Sequence, residues 1–428
     1  MGLLDVLSAN PYVAAGTVAA VGVAAMALSR KKQSDHPEHI PLTMPTKVYD
    51  EFVAAMPDEA IAGKVVAITG CTSGVGYFAA LTAAQKGAKC VFLLNRPSER
   101  ASLALASISS KGADGCEVVN IPCDLSDFGS VKKAAATVAA KAKALGGLNA
   151  LACNAAVMMS PEVVTKDGFD VGVQTNHHAH VLLISLLMPA LQMGSGRLCT
   201  TGSMSQYISM PPTGSKMLGD LEAKFFEQQS AKSAAGALGG NGFAAAEERY
   251  HQTKLGQVVF AMALAEKLAA RGSAVKAVAY DPGWTETSLP ANTVKSHRDF
   301  GTDKTTAFGF FSWRVFIPTL NSTPAGLPGG PCHGAPDASA SLLTALFASH
   351  VSNGDYIAPK FPSAMSKQRN GYGPPIKIMA NGARVAGVGC EHSHDLVEKR
   401  SNRELVWKAA AAMLKKVAGQ DDLFANGI

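Results

Sequence analysis

A glycine-punctuated turn between a buried strand and a helix constrains this chain more than any other feature. Val65-Val66-Ala67-Ile68 is a short apolar run bounded by Lys64 and Gly70, the pattern of a strand buried on both faces. Thr69-Gly70-Cys71-Thr72-Ser73-Gly74-Val75-Gly76 comes next, and Tyr77–Lys86 reads as a helix ending at Gly87. In such a unit the first glycine permits the tight turn. The second lets backbone approach a pyrophosphate, and the third lets helix pack on strand. The helix N-terminus then turns open N–H groups and a partial positive charge toward the phosphates. Glycines alone are weak evidence; the strand before and the helix after supply the specificity. Gly70, Thr72, Ser73, Gly74, Val75 and Gly76 are therefore the expected dinucleotide cradle.

The pattern continues along the chain. Apolar runs at Cys90–Leu94, Glu117–Ile121, Leu148–Cys153, Arg197–Thr201 and Val275–Tyr280 alternate with Ala- and Leu-rich stretches at Ser130–Leu145, Val173–Leu191 and Lys254–Ala270. This spacing predicts a single α/β domain of Rossmann type, a doubly wound parallel sheet with helices on both faces, over residues 61–420. Ser215–Ala246, rich in Gly, Ala, Ser and Gln, interrupts the alternation and reads as part of an inserted lid at about 206–248, before Tyr250. Thr285–Pro336 is a second irregular stretch. Length and a 47% hydrophobic content support a large core and exclude a disordered protein.

The end of the second strand sets the choice of dinucleotide. An acid there would bind a ribose 2′-hydroxyl, and an arginine accommodates a 2′-phosphate. The chain has Leu94-Asn95-Arg96, with Arg100 a turn later and no acid at the strand end. NADP(H) is the expected cofactor, with Arg96 on the phosphate. Asp124 and Leu125, after the third strand, are placed to flank the adenine.

Tyr250-His251-Gln252-Thr253-Lys254 puts a phenol and an ammonium on one helical face. A phenol titrates at about 10 and is a poor acid–base group at neutral pH. A neighbouring ammonium stabilises phenolate, as proton transfer near neutrality requires. Ser203, in Thr201-Gly202-Ser203, ends another expected strand and could hydrogen-bond a substrate carbonyl. The order glycine turn, strand ending in Ser, Tyr and Lys, then Pro282-Gly283 gives the set its force.

On these residues the chain resembles the short-chain dehydrogenases/reductases over about 63–357. The resemblance implies a catalytic set of Asn176, Ser203, Tyr250 and Lys254. Tyr would pass the proton, Lys would lower its pKa and hold the nicotinamide ribose, Ser would orient the substrate, and Asn would keep a water. It also implies cofactor contacts from Asn154 and Ala155, in Cys153-Asn154-Ala155-Ala156, and from Pro282, Gly283, Thr285 and Thr287. Within the family the chain is most similar to the light-dependent protochlorophyllide oxidoreductases. That similarity lies in Asn154-Ala155-Ala156-Val157, in Asp167-Gly168-Phe169 with Thr175-Asn176-His177, in Pro211-Pro212 leading to Leu218-Gly219-Asp220-Leu221, and in the tail Asn402–Gly419. It implies hydride transfer from NADPH to a ring C=C, with Tyr250 as proton donor. The chain departs from that branch at Gly256 and Trp284, where the branch carries Cys, and over Thr293–Pro331. An NADP(H)-dependent carbonyl reductase or alcohol dehydrogenase acting on a retinoid-, steroid- or lipid-like substrate is the alternative. A cofactor-binding sensor or scaffold without catalysis is a third reading, which the intact Tyr250–Lys254 pair disfavours.

Residues 1–32 stand apart. Pro11–Leu28 carries no charge and precedes Arg30-Lys31-Lys32. That is close to the length of a membrane span, about 20 apolar residues, and the basic flank predicts that the residues after it face cytosol or stroma. An anchor or a targeting segment is expected here, with a linker over 33–60, and a plastid is compatible with both. The eight cysteines form no C-x-x-C pair and suit reduced, buried thiols. The net charge of +6 comes without a long basic stripe interleaved with aromatics, which argues against nucleic acid. The expected partners are a hydrophobic small molecule and a membrane, with homo-oligomerisation open. His177, His178 and His180 are expected to pack rather than bind metal, and Cys390–His394, with no second cluster at ligand spacing, is not expected to bind one. The apolar Phe308–Trp313 patch is a candidate substrate or membrane contact.

Overall fold

The computed structural model describes residues 47–203, 219–228, 236–283, 285–287, 289, 333–360, 373–381, 383–384, 391–420 and 422–424. Pro11–Leu28, Trp284, Phe308–Trp313 and Cys390 lie outside them. No helix among the described residues is long and apolar enough to cross a membrane.

The strands are β1 (Val65–Thr69), β2 (Cys90–Asn95), β3 (Glu117–Pro122), β4 (Ala150–Cys153), β5 (Arg197–Thr201), β6 (Lys276–Tyr280), β7 (Thr285–Glu286), β8 (His333–Gly334), β9 (Tyr356–Lys360), β10 (Gly373–Ala380) and β11 (Ala383–Arg384). Nine of them form one sheet, in the order β11-β10-β9-β6-β5-β4-β1-β2-β3. From β3 to β9 the pairing is parallel throughout. Buried on both faces, β1 and β2 need no polar alternation, and their sequences VVAIT and CVFLLN have almost none. β10 turns back antiparallel to β9, and β11 to β10.

The helices of eight residues or more are α1 (Lys47–Ala55), α2 (Gly74–Gln85), α3 (Glu99–Lys111), α4 (Phe128–Leu145), α5 (Ala179–Met193), α6 (Phe243–Ala270), α7 (Ala335–Phe347), α8 (Glu391–Glu398) and α9 (Arg400–Ala418). Val66 and Ile68 of β1 join one apolar layer with α2, α3 and α7. Val65 and Ala67 join the opposite layer with α4, α5, α6 and α9. The side-chain period of a strand thus divides one five-residue run between two cores. β1 leads to β2 and β3 in one direction, and β4 to β5 and β6 in the other. The order therefore switches between β1 and β4, where open α/β sheets bind ligands at the carboxyl ends of their strands.

Three stretches differ from the sequence reading. Residues 47–60, expected as linker, carry α1 docked on the domain. The Tyr49 amide donates to Asp337 Oδ1 at 2.8 Å, its hydroxyl lies 2.6 Å from Thr82 Oγ1, and its ring meets Phe78 edge-on. Tyr49, Phe52 and Met56 follow helical spacing, but the acids among them make the stretch look polar. α6 begins at Phe243, inside the expected lid, so the last part of that stretch is the start of the Tyr250 helix. Of the rest, Leu221, Phe225 and Phe226 are buried, while 204–218 and 229–235 lie outside the described residues. Finally, α7 starts where the second irregular stretch was expected to end, and its hydrophobic residues fill the layer beside α2.

Candidate active site

The glycine turn folds as its residues dictate. Gly70 and Gly74 take left-handed φ of 75° and 68°, which a side chain disfavours. A Cβ on Gly76 would stand 2.4 Å from the Gly70 carbonyl oxygen and 2.5 Å from Asn154 Nδ2, so only glycine lets α2 approach β1 this closely. Ser73 is the N-cap of α2, yet its side chain makes no capping bond. Its hydroxyl instead accepts from Arg100 Nη2 at 2.7 Å. The first-turn amides and an arginine thus lie together at the N-terminus of α2, and these residues fit a dinucleotide pyrophosphate. When bound there, a nicotinamide dinucleotide supplies or accepts the hydride.

Other expected cofactor residues surround this surface, not all by their side chains. Asn154 spends its side chain on structure: Nδ2 donates to the Thr69 carbonyl at 2.9 Å and Oδ1 accepts from the Tyr280 hydroxyl at 2.7 Å. The Asn154 and Ala155 amides both donate to Thr69 Oγ1. This knot locks the ends of β1, β4 and β6 together. Asp124 turns its carboxylate onto Ser126, and Leu125 is buried in the core. Arg96 is exposed at the end of β2. Asn95, the last residue of β2, accepts from the Cys71 amide at 2.7 Å and so holds the turn. Pro282 and Gly283 come after β6, and Thr285 Oγ1 donates to the Pro282 carbonyl at 2.9 Å. Thr287 comes within 3.5 Å of where a Gly74 Cβ would sit, which brings this loop against the mouth of α2.

Three of the four residues expected for proton transfer come together past the end of β5. Ser203 lies just past β5, and its side chain hydrogen-bonds that of Tyr250. One turn on, Lys254 Nζ lies 5.7 Å from the centroid of the Tyr250 ring. Both are buried. Burial pushes the Tyr250 phenol up, against the pull of the Ser203 hydrogen bond, and Asp281 adds to the rise. Burial also draws Lys254 down to about 7, with the Asp281 carboxylate opposing. The expected lowering of the phenol by its lysine is therefore overridden, because desolvation acts on both groups and weakens the charge that would do the lowering. Asp281 carries no signal in the sequence. It is 1% exposed, accepts from the Gly283 amide at 2.7 Å and from the Tyr356 hydroxyl at 3.2 Å, and its own carboxyl is pushed up to about 6 by burial.

Asn176 lies in a π-helical turn, Gln174–His178, that leads into α5. Its side chain is committed to protein: Oδ1 accepts from the Val157 amide, while Nδ2 donates to the Val157 carbonyl and to Thr253 Oγ1. The neighbouring histidines pack. His178 bonds the Phe226 carbonyl at 2.9 Å, and burial holds His178 and His180 down to about 4. A Cβ on Gly256 would meet the Phe226 ring at 2.9 Å and His177 at 3.2 Å. Position 256 therefore faces this aromatic packing.

Comparison with known proteins agrees with the geometry. The family model described as short chain dehydrogenase matches residues 64–214. Over 265 residues the chain is 31% identical to retinol dehydrogenase 12 of Homo sapiens, covering 62% of this chain and 71% of that protein. It is 32% identical over 261 residues to polyprenol dehydrogenase of Mus musculus, covering 59% and 67%. An uncharacterised oxidoreductase of Schizosaccharomyces pombe is 32% identical over 241 residues, and the chain spans 63% of its length. A solved structure of an uncharacterised protein from Mycobacterium paratuberculosis shares the fold, with a TM-score of 0.53 at 21% identity over 85% of this chain and 97% of that one. The chain belongs to the short-chain dehydrogenase/reductase family of oxidoreductases.

Proposed function

We propose that the protein is an NADP(H)-dependent carbonyl reductase or alcohol dehydrogenase acting on a retinoid-, steroid- or other lipid-like substrate. The observation that carries this reading is the Ser203–Tyr250–Lys254 set, joined by the Ser203–Tyr250 hydrogen bond and the closeness of Lys254 to the phenol ring, in a fold that also carries the glycine cradle. Ser203 orients a carbonyl or hydroxyl oxygen, Tyr250 exchanges the proton with it, and Lys254 holds the cofactor ribose beside the phenol. The names of the retinol and polyprenol dehydrogenases support an isoprenoid-like alcohol or aldehyde. NADP(H) over NAD(H) is supported by Arg96 just after β2, where Asn95 stands in place of an acid, and by Arg100 in the first turn of α3. Protochlorophyllide has less support: the position where that branch carries a cysteine is Gly256, packed against Phe226 and His177. The N-terminal segment, uncharged over Pro11–Leu28 with a basic flank, supports a membrane tether with the catalytic domain on the basic side.

The test is NADPH oxidation by the purified full chain in the dark, with all-trans-retinal, an isoprenoid aldehyde and a steroid ketone as probes. Turnover with one of them is expected. Turnover only with protochlorophyllide under light would replace this reading with the pigment one. For the tether, the chain lacking residues 1–32 should no longer co-sediment with phospholipid vesicles; full retention would place the attachment elsewhere.

A further inference from the structure

We propose that Gln257 is the positioning residue for Lys254, its side-chain amide tying the lysine ammonium to the main-chain carbonyl of Asn176. The proposal rests on the reading of Lys254 as part of the proton-transfer set. Lys254 is 1% exposed. Its Nζ donates to the Thr201 carbonyl at 3.2 Å and to Gln257 Oε1 at 3.2 Å. The first acceptor is fixed by the sheet. The second is a side chain one turn further along α6, on the same face. Gln257 is itself 2% exposed, and its main-chain carbonyl accepts from Thr200 Oγ1 at 2.9 Å, which pins this turn of α6 to β5.

The far end of the amide is equally committed. Gln257 Nε2 donates to the Asn176 carbonyl at 2.5 Å. A carbonyl can only accept and an ammonium can only donate, so these two partners fix which way the amide points. The Asn176 carbonyl receives a second donor, His180 Nδ1 at 2.9 Å, while His180 Nε2 meets Thr69 Oγ1 at 3.0 Å. With Gln257 and His180 both donating, the lone pairs of that carbonyl are filled. The side chain of Asn176 bonds Val157 through Oδ1 and both Val157 and Thr253 through Nδ2. The bridge that the family resemblance assigns to a water at Asn176 is thus made by a protein side chain. The path from Lys254 through Gln257 to Asn176 and His180 ends at Thr69, the residue that opens the glycine turn, so the lysine is braced against the cofactor cradle.

Among the described residues, the titratable groups around Lys254 are Tyr250 on its own helix, His180 on α5 and Asp281 just past β6. His180 is held neutral, and Asp281 is bound by Gly283 and Tyr356. Gln257 is therefore the side chain whose removal changes the ammonium's hydrogen bonding without changing a neighbouring charge. A hydrogen bond to the charged form favours that form. Losing this acceptor should let Lys254 release its proton roughly 1–2 pH units lower. A carboxylate in its place should move the release up.

The decisive experiment labels the full-length protein with trace acetic anhydride across a pH series. Mass spectrometry then reads the titration midpoint of the Lys254 peptide in the wild type, Gln257→Leu and Gln257→Glu. The expected result is a midpoint lower by about one unit or more in Gln257→Leu and higher than wild type in Gln257→Glu. Midpoints that coincide, or that move in the same direction, overturn the proposal. Circular dichroism melts establish that each variant is folded. If Gln257→Leu does not fold, the polar, size-matched Gln257→Glu decides alone by the sign of its shift. Turnover with all-trans-retinal is measured in parallel. A Gln257→Leu profile whose alkaline limb moves down with the labelling midpoint supports positioning, and one whose limb stays at the wild-type pH opposes it. If wild type shows no turnover the proposed substrate class fails, while the labelling still decides Gln257.

Discussion

Replacing Arg249 by Met should destabilise the fold by about 3–5 kcal/mol at neutral pH, the usual consequence of breaking a buried ion pair from one side. Arg249 immediately precedes Tyr250, and its side chain is 2% exposed. Its guanidinium lies 3.7 Å from Glu162 Oε2 and 3.8 Å from Asp170 Oδ2, both carboxylates being buried. It also donates to the carbonyls of Gly240 and Ser160 at 2.6 and 2.9 Å. The two acids do not depend on it equally. Glu162 accepts from the Leu238 and Gly240 amides and keeps these bonds in the variant. Asp170 accepts from Gly172 and Val173 through Oδ1, but its buried Oδ2 has no hydrogen-bond partner among the described residues, so Arg249 is what compensates its charge. Burial pushes the Asp170 carboxyl up to about 6 from 3.8, with Arg249 pulling the other way. A carboxyl raised on folding favours the native state when protonated, and that contribution is lost as pH rises through the folded value. Without Arg249 the value rises further, so the variant's deficit should be largest above about pH 6 and shrink toward pH 4, where Asp170 is neutral with or without the arginine. Urea unfolding followed by circular dichroism at neutral and acidic pH, on the wild type, Arg249→Met, Asp170→Asn and the double variant, reads this directly. The double variant should recover about half the loss or more. A deficit below about 1 kcal/mol, within reach of an exposed pair, or one indifferent to pH, would refute the account.

Substitutions within the site have equally definite outcomes. Tyr250→Phe should reduce turnover by about 10²- to 10⁴-fold, the range for a positioned acid–base group, while NADPH fluorescence titration shows binding unchanged; retained turnover would remove the phenol from the chemistry. Gly76→Ala places a methyl 2.4 Å from the Gly70 oxygen; it should lower stability by about 1–3 kcal/mol and weaken NADPH binding, and a variant that melts and binds like wild type would show that α2 can shift away. Arg96→Asp and Arg100→Asp should each cut the NADPH-over-NADH preference by about tenfold or more, since a charge-assisted hydrogen bond contributes about 1.5–3 kcal/mol; unchanged preference in both would end the 2′-phosphate reading.

Much of this site is legible without coordinates because its parts are local. The glycine turn needs only neighbouring residues, and Tyr250 and Lys254 share a face through helical spacing alone. Arg100 is visible but easily ranked behind Arg96, until its contact with Ser73 places it at the cradle. Gln257, Asp281 and Arg249 are not legible as participants. Each is a polar residue in a segment whose pattern is otherwise satisfied, and each acquires its role from a partner far along the chain: Asn176, Tyr356, and the Glu162–Asp170 pair. α1 is hidden for a related reason, its apolar face being too short to stand out until α2 and α7 cover it.

By itself the sequence determined the alternation of buried strands and helices, the carboxyl-end placement of the glycine turn, and the residue types available for proton transfer. All of these arise from side-chain period and backbone sterics over a few residues. Tertiary structure decided how the charges behave. Desolvation raises Tyr250, Asp170 and Asp281 and lowers Lys254 because the sheet and both helical layers close over them, and burial of that kind is set by residues far apart in the chain. It also decided that Asn154 and Asn176 hold the framework with their side chains, since a hydrogen bond is spent on whichever partner the fold brings within 3 Å.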